Sequence, residues 1–178
     1  MKAVAMPSLL SRSFTVLRGV LYSALFVWLW AWVAGWVRTY DPRIPVSLPP
    51  WLRPVGYAVA AAGALLAGLC IATFVTRGRG TPAPFDPPRE FVASGPYRWV
   101  RNPMYVGAAA VILGAGLVLS SPSIVLLAFA FVLTMHAIVV LYEEPVLADK
   151  FGASYRRYKA DVHRWLVRRP RSAASSGS

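Results

Sequence analysis

Met104–Tyr142 reads MYVGAAAVILGAGLVLSSPSIVLLAFAFVLTMHAIVVLY, two apolar runs that meet at one polar break. The first, Met104–Leu119, is 16 residues without a charge. Ser120-Ser121-Pro122 interrupts it. Ser121 has the side-chain oxygen of a helix cap, and Pro122 suits a first helical turn, where its missing N–H costs nothing. Ser123–Tyr142 then continues for 20 uncharged residues. At 1.5 Å per residue this reaches across the roughly 30 Å core of a bilayer. The stretch predicts a helical hairpin in a membrane, its first arm shorter than a comfortable span.

Composition agrees. The chain has 178 residues, is 57% hydrophobic and has a mean hydropathy of +0.51. That is too apolar for an ordinary soluble domain and too short for more than one membrane bundle. The formal net charge of +12 comes from basic patches beside apolar runs. Such patches suit anionic headgroups and membrane orientation rather than nucleic acid. Cys70 is the single cysteine, so no intramolecular disulfide or cysteine-based metal cluster can form. It reads as a small buried apolar residue.

Upstream, Met1–Val16 has no strong pattern, and Leu17–Val37 is an apolar run of 21 residues with Arg18 at its edge. It is longer than a signal-peptide core and predicts an uncleaved span. Arg38–Pro54 holds five prolines and is expected to be an extended loop. Val55–Thr76 is a second span, in which Gly56, Gly63 and Gly68 would permit close helix contact. Arg77–Pro103 is the longest polar connection, with a stiff, extended middle, TPAPFDPP. Four spans put both termini and this connection on one side, with 16 Lys and Arg against 3 on the other. The positive-inside rule makes the richer side cytoplasmic, in a multi-pass protein of the cell inner membrane.

Downstream, Glu143-Glu144-Pro145 ends the apolar run. Leu147, Phe151, Tyr155, Tyr158, Val162 and Trp165 then recur at helical spacing. Lys150, Arg156, Arg157, Lys159, Arg164 and Arg168 occupy the opposite face. This pattern predicts an interfacial amphipathic helix interrupted near Gly152, and Ser172–Ser178 a disordered tail. The expected fold is therefore an all-α integral membrane protein with four transmembrane helices and an interfacial C-terminal helix. Residues 1–76 form its two-span region, 77–170 the cytoplasmic loop, helical hairpin and interfacial helix, and 171–178 its tail.

Two constellations could carry chemistry. Gly95–Gly107, GPYRWVRNPMYVG, sets Arg98 and Arg101 among Tyr97, Trp99 and Tyr105. It reads either as an anchor belt at headgroup level or as a cationic, aromatic ligand site. Glu143 and Glu144 are costly at the end of a span unless solvated, paired or ligand-bound, and the helix C-terminal dipole expected there disfavours anions. Their cationic partner is either a protein arginine or a ligand. His136 lies on the same face roughly 10 Å deeper, as a packing residue or a functional one. Nucleotide-binding glycine motifs and HExxH are absent, and two histidines with one cysteine argue against a dedicated transition-metal site.

Arg101-Asn102-Pro103-Met104-Tyr105, with Gly107, Gly114, Ser121-Pro122 and Tyr142-Glu143-Glu144-Pro145, resembles the membrane phospholipid methyltransferases. The ending Glu144, Leu147, Phe151-Gly152, Tyr155, Tyr158, Val162 and Pro170 is similar to isoprenylcysteine carboxyl methyltransferases of the same superfamily. The resemblance covers about Gly80 to Pro170 and implies S-adenosylmethionine-dependent methyl transfer to a lipophilic acceptor reached from the bilayer. It also implies site residues. Glu143 and Glu144 would bind the cofactor amino group, Glu144 with a catalytic part. Arg101, Asn102, Pro103, Tyr105 and Gly107 would build the cofactor pocket, with Tyr97 and Arg98 at its edge. Tyr155, Arg157 and Tyr158 would close it from the tail, Arg157 and Tyr158 contributing to catalysis. Many members carry His where this chain has Asn102, and Asn cannot act as a general base. The acceptor could be a phospholipid amine, an isoprenylcysteine carboxylate or a thiol. The reading from another class is a non-catalytic membrane subunit or carrier.

The charge distribution gives a direct test of orientation. A cysteine introduced as Ser47→Cys should react with an impermeant thiol reagent on intact cells, and Ser94→Cys only after permeabilisation. The reverse pattern would invert the topology.

Overall fold

The computed structural model describes residues 9–73, 76 and 93–167. Arg77, Arg79 and Arg89, the TPAPFDPP segment and the tail after Val167 lie outside the described residues. Five helices carry the fold: α1 (Leu9–Arg38), α2 (Leu52–Thr73), α3 (Pro103–Val118), α4 (Pro122–Ile138) and α5 (Glu144–Asp161). No strand occurs among the described residues. Among the described residues, three stretches are long and apolar enough to cross a membrane: Val20–Arg38, Leu52–Thr73 and Pro122–Asp161. At 16 residues, α3 is shorter, and it packs along α2 instead of standing alone.

Glycine makes that packing possible. Gly56 lies against the backbone of Gly114 and Val118, and Gly63 against Gly107 and Val111, so the two helices run antiparallel. A Cβ at Gly63 would sit 2.6 Å from the Gly107 carbonyl oxygen. Gly56, Gly63 and buried Cys70 recur every seven residues on α2, as Gly107 and Gly114 do on α3. In lipid, backbones brought this close gain dispersion contacts that larger side chains would prevent. Gly68 departs from the expectation, because nothing lies within 4 Å of a Cβ there.

The hairpin forms as expected. Ser121 Oγ accepts from Ile124 N–H at 3.3 Å, capping α4 with Pro122 in its first turn. Asp41, in the α1–α2 loop, adds a second cap by accepting from Ser123 N–H at 3.0 Å. Burial opposes the Asp41 charge, but hydrogen bonds from Ser121 and Ser123 and the nearby Arg38 outweigh it and lower its pKa. That loop also contains a short 3-10 turn, Asp41–Arg43, within the expected extended run. The core is the inner face of α4, Ile124, Leu127, Ala128, Phe131 and Met135, with Ile112 of α3. One stripe of α1 covers it: Trp30 packs edge-on against Phe131 at 4.7 Å between ring centroids, and Phe26 does so at 6.1 Å.

The end of α4 departs from the sequence reading. Glu143-Glu144-Pro145 does not terminate the helix. Val139–Glu143 is a π turn that runs into α5 without a break. The carboxylates therefore sit inside a continuous helix, Glu144 in the first turn of α5, and the expected repulsion from a helix C-terminal dipole does not arise. The interruption at Gly152 is present, with φ +51°, a conformation that a residue without Cβ adopts at no steric cost. The amphipathic periodicity runs past the helix, however. α5 ends at Asp161, and Val162 is extended (φ −121°, ψ 128°), so Val162 and Trp165 belong to a returning segment.

The glycine seam makes a mutational contrast. Gly63→Val forces a Cβ onto backbone and should destabilise the protein in detergent by about 1–3 kcal/mol. Gly68→Ala meets open space and should be neutral or stabilising by up to about 1 kcal/mol. Thermal melts of the two variants check this.

Candidate functional site

The π turn decides which carboxylate is inside. The buried stripe of α4 runs Ile124, Ala128, Phe131, Met135, Val139 at helical spacing. Four residues on, Glu143 would come next. The π turn inserts one residue, so the stripe passes from Val139 to Glu144 and continues to Tyr155. Glu144 is 6% exposed and Tyr155 3%.

Three cations surround Glu144. Arg101 Nη1 lies 2.9 Å from Oε1, Lys159 Nζ 2.9 Å from Oε2 and Arg164 Nε 2.6 Å from Oε1. Arg164 Nη2 adds a second bond, 3.1 Å to Oε2, completing the bidentate pairing that suits a planar guanidinium. Bonding to Glu144 holds the Arg164 guanidinium still more firmly charged than usual. Glu143 points to α3 instead, where its carboxylate accepts from the Tyr105 hydroxyl.

Main-chain contacts fasten the same parts. Arg101 N–H donates to the His163 carbonyl at 2.9 Å, and Asn102 Nδ2 to the Arg164 carbonyl at 3.2 Å. The Tyr158 hydroxyl donates to the Tyr97 carbonyl at 2.6 Å. Tyr97 is buried against Cys70 of α2, and that burial raises its hydroxyl pKa well above the ordinary range. The returning segment is thus strapped to the loop before α3, and Pro103 is buried at the start of that helix.

The residues expected at a cofactor site separate into groups. Arg101, Asn102, Tyr105, Glu143, Glu144, Tyr155 and Tyr158 come together with Tyr97 and Pro103. Arg98 does not join them; it is exposed and stacks over Trp99 at 5.4 Å. Arg157 is exposed and is not among the cations that reach Glu144. Gly107 lies in the α2–α3 seam, where a Cβ would come 2.8 Å from the Gly63 carbonyl, so its place is a packing one. Lys159 and Arg164 hold the positions that sequence reasoning missed. Both stood on the expected polar face, and no local pattern distinguishes them from Arg156 or Arg157.

The arrangement has unused hydrogen-bonding capacity. Arg101 Nε is a buried donor with no acceptor among the described residues. A carboxylate such as Glu143 accepts more than one donor. Donor capacity on Arg101 and acceptor capacity on Glu143, joined through Glu144, suit a ligand carrying an amine and a carboxylate together. Among the described residues no cluster of His, Cys, Asp or Glu could hold a metal ion.

A family model described as "Phospholipid methyltransferase" matches residues 52–154, more than half of the chain and all of α2 to α4. An uncharacterized protein of Haemophilus influenzae is 36% identical over 63 residues, which is 35% of this chain and the whole of that protein. No solved structure matches the chain.

Glu144→Gln leaves three cations facing a neutral amide. Because Lys159 is about half exposed and Arg164 partly so, the loss of stability should be about 2 kcal/mol rather than the full cost of an isolated buried charge. Arg157→Ala should melt like the parent. Equal loss in both variants would mean that the cluster does not brace the fold.

Proposed function

The chain belongs to the phospholipid methyltransferase family, and from that premise we propose that it transfers a methyl group from S-adenosylmethionine to a lipophilic acceptor reached from the bilayer. The observation that carries this reading is the buried, unaccepted Arg101 Nε, on a side chain bonded to Glu144, whose chain neighbour Glu143 accepts from Tyr105. S-adenosylmethionine, when bound, supplies an electrophilic methyl group on a sulfonium. Its amino acid portion is the kind of ligand the site's spare donor and acceptor suit. Arg101 would hold the carboxylate and Glu143 the amino group. Asn102 and Pro103 shape the turn that presents Arg101, while Tyr155 and Tyr158 close the site from α5.

Methyl transfer is an in-line displacement, so the protein's main task is to align the acceptor and exclude water. An acceptor amine must also lose a proton as its new N–C bond forms. Glu143, already committed to the cofactor amino group, is not assigned that proton, which passes instead to water at the cytoplasmic end of the site. Glu144 is occupied by three cations and keeps Arg101 and the returning segment in place, so we make it a positioning residue. A carboxylate or thiolate acceptor would need no proton transfer. The distribution of Lys and Arg supports a site on the cytoplasmic side of an inner membrane.

One observation favours a second reading, the non-catalytic subunit or carrier. The cations on Glu144 are all protein side chains, so no ligand is needed to explain that carboxylate. Cofactor affinity separates the two. Titration calorimetry should show S-adenosylmethionine binding to the parent protein, weakened about tenfold or more in Glu143→Gln as a charge-assisted hydrogen bond becomes neutral. Incubation with methyl-labelled cofactor and a total lipid extract should label a lipid. Absence of both binding and label would establish the non-catalytic reading.

Asn102 gives a further test. Asn102→His can still donate to the Arg164 carbonyl and should retain activity, whereas Asn102→Leu leaves that carbonyl unpaired and should cost about 1–3 kcal/mol. The loss should appear in both melting temperature and cofactor affinity. An unchanged leucine variant would remove Asn102 from the site.

A further inference from the structure

Between α3 and α4, next to Tyr105, lies a cavity of about 160 Å³. Its walls are apolar, with Ala109 from α3 and Phe131 and Met135 from α4. Tyr105 lines it too, and the Tyr105 hydroxyl is bonded to Glu143. Tyr105 therefore stands between the cavity and Glu143, the carboxylate assigned above to the cofactor that presents the methyl group. Val132, another lining residue, is 42% exposed, so the cavity borders the lipid-facing surface of α4.

Trp165 is the one lining residue from outside the hairpin. It comes from the returning segment after α5, and its Nε1–H donates to His136 Nδ1 at 3.0 Å. Away from water, an indole N–H without an acceptor is costly, and an imidazole beside lipid is costly without a donor. Each group satisfies the other, and the indole is fixed against the cavity. This gives His136 a structural partner that periodicity could not reveal.

A phospholipid amine presented beside the cofactor at Glu143 is separated from its chains by ethanolamine, phosphate and glycerol. Met135 and Phe131, 8 and 12 residues before Glu143, lie roughly 12 and 18 Å along the helix from it, so the first chain carbons come level with the cavity. An apolar cavity of about 150 Å³ takes a group the size of benzene, so this one accommodates roughly six carbons. We infer that the cavity seats the first carbons of the acceptor's apolar chain, and that Trp165, fixed by His136, determines which chains fit. The inference rests on the methyl-transfer reading for the identity of the occupant. Trp165 is a specificity-determining residue with no part in the chemistry, and His136 positions it.

The test uses the full chain in lipid nanodiscs with two readouts. In the first, phosphatidylethanolamines with straight chains compete with others methyl-branched at the third to sixth carbon. The parent should prefer straight chains. Trp165→Ala should raise kcat/KM for the branched lipids about tenfold, chiefly through KM, the scale at which apolar pockets discriminate small groups. His136→Phe should shift preference the same way by less, and Ala109→Leu, which fills the cavity from α3, should sharpen it. The second readout needs no turnover. A lipid with a diazirine near its fourth chain carbon should label the α3 and α4 peptides, and branched probes should label them more strongly in Trp165→Ala.

Labelling that follows Trp165 without methyl transfer would sustain the chain seat and defeat the methyltransferase reading. Methyl transfer with chain preference and labelling unchanged in Trp165→Ala and Ala109→Leu, both folded by their melting curves, would overturn the inference. Should Trp165→Ala fail to fold, Ala109→Leu and His136→Phe carry the same comparison.

Discussion

The structure depends on one buried carboxylate. Glu144 lies deep enough that its charge could not persist alone, and its three cations come from three different parts of the chain. Arg101 belongs to the loop before α3, Lys159 to the end of α5 and Arg164 to the segment that returns from it. A charge in that position needs all its hydrogen-bonding sites filled, and filling them draws the loop, helix and returning segment together. The main-chain bonds from Arg101 to His163 and from Asn102 to Arg164 then fix register as well as proximity. A merely attractive cluster of charges would leave that register undefined.

Two backbone features deliver Glu144 to this position. The glycine seam lets α3 lie close along α2, which sets Tyr97, Arg101 and Tyr105 beside the carboxylate end of α4. The π turn then moves the buried stripe by one residue, so adjacent carboxylates acquire different environments. Glu144 meets cations and Glu143 meets a phenol. Neighbouring residues of one chemical type can thus divide the work, one bracing the closure and the other left with capacity for a ligand.

The apolar side of the site is built by the same closure. The segment that brings Arg164 to Glu144 also brings Trp165 to the hairpin, where His136 receives its indole. Polar anchoring and the shape of the lipid-side cavity are therefore coupled through two consecutive residues. Loosening the ionic cluster should also loosen the cavity wall.

Much was legible in the sequence because hydropathy and punctuation act locally. The uncharged run from Met104 to Tyr142, broken at Ser120-Ser121-Pro122, requires a hairpin in lipid, since only helices satisfy their own backbone there. The paired carboxylates and the Arg101–Tyr105 turn stood out through their cost and their chemistry, and the fold brings them together. Tertiary structure decided the rest. Hydrophobic periodicity assumes a constant 3.6 residues per turn, so it could not place a π turn or choose between Glu143 and Glu144. It also treated Arg157, Lys159 and Arg164 as one solvated face, although α5 stops at Asp161 and turns only the last two toward the carboxylate. Gly107 read as part of a ligand motif and serves helix contact, because a missing side chain does not declare what will occupy its space. Which cation reaches a buried charge depends on where the backbone ends its helix, and that is settled by packing across the whole fold.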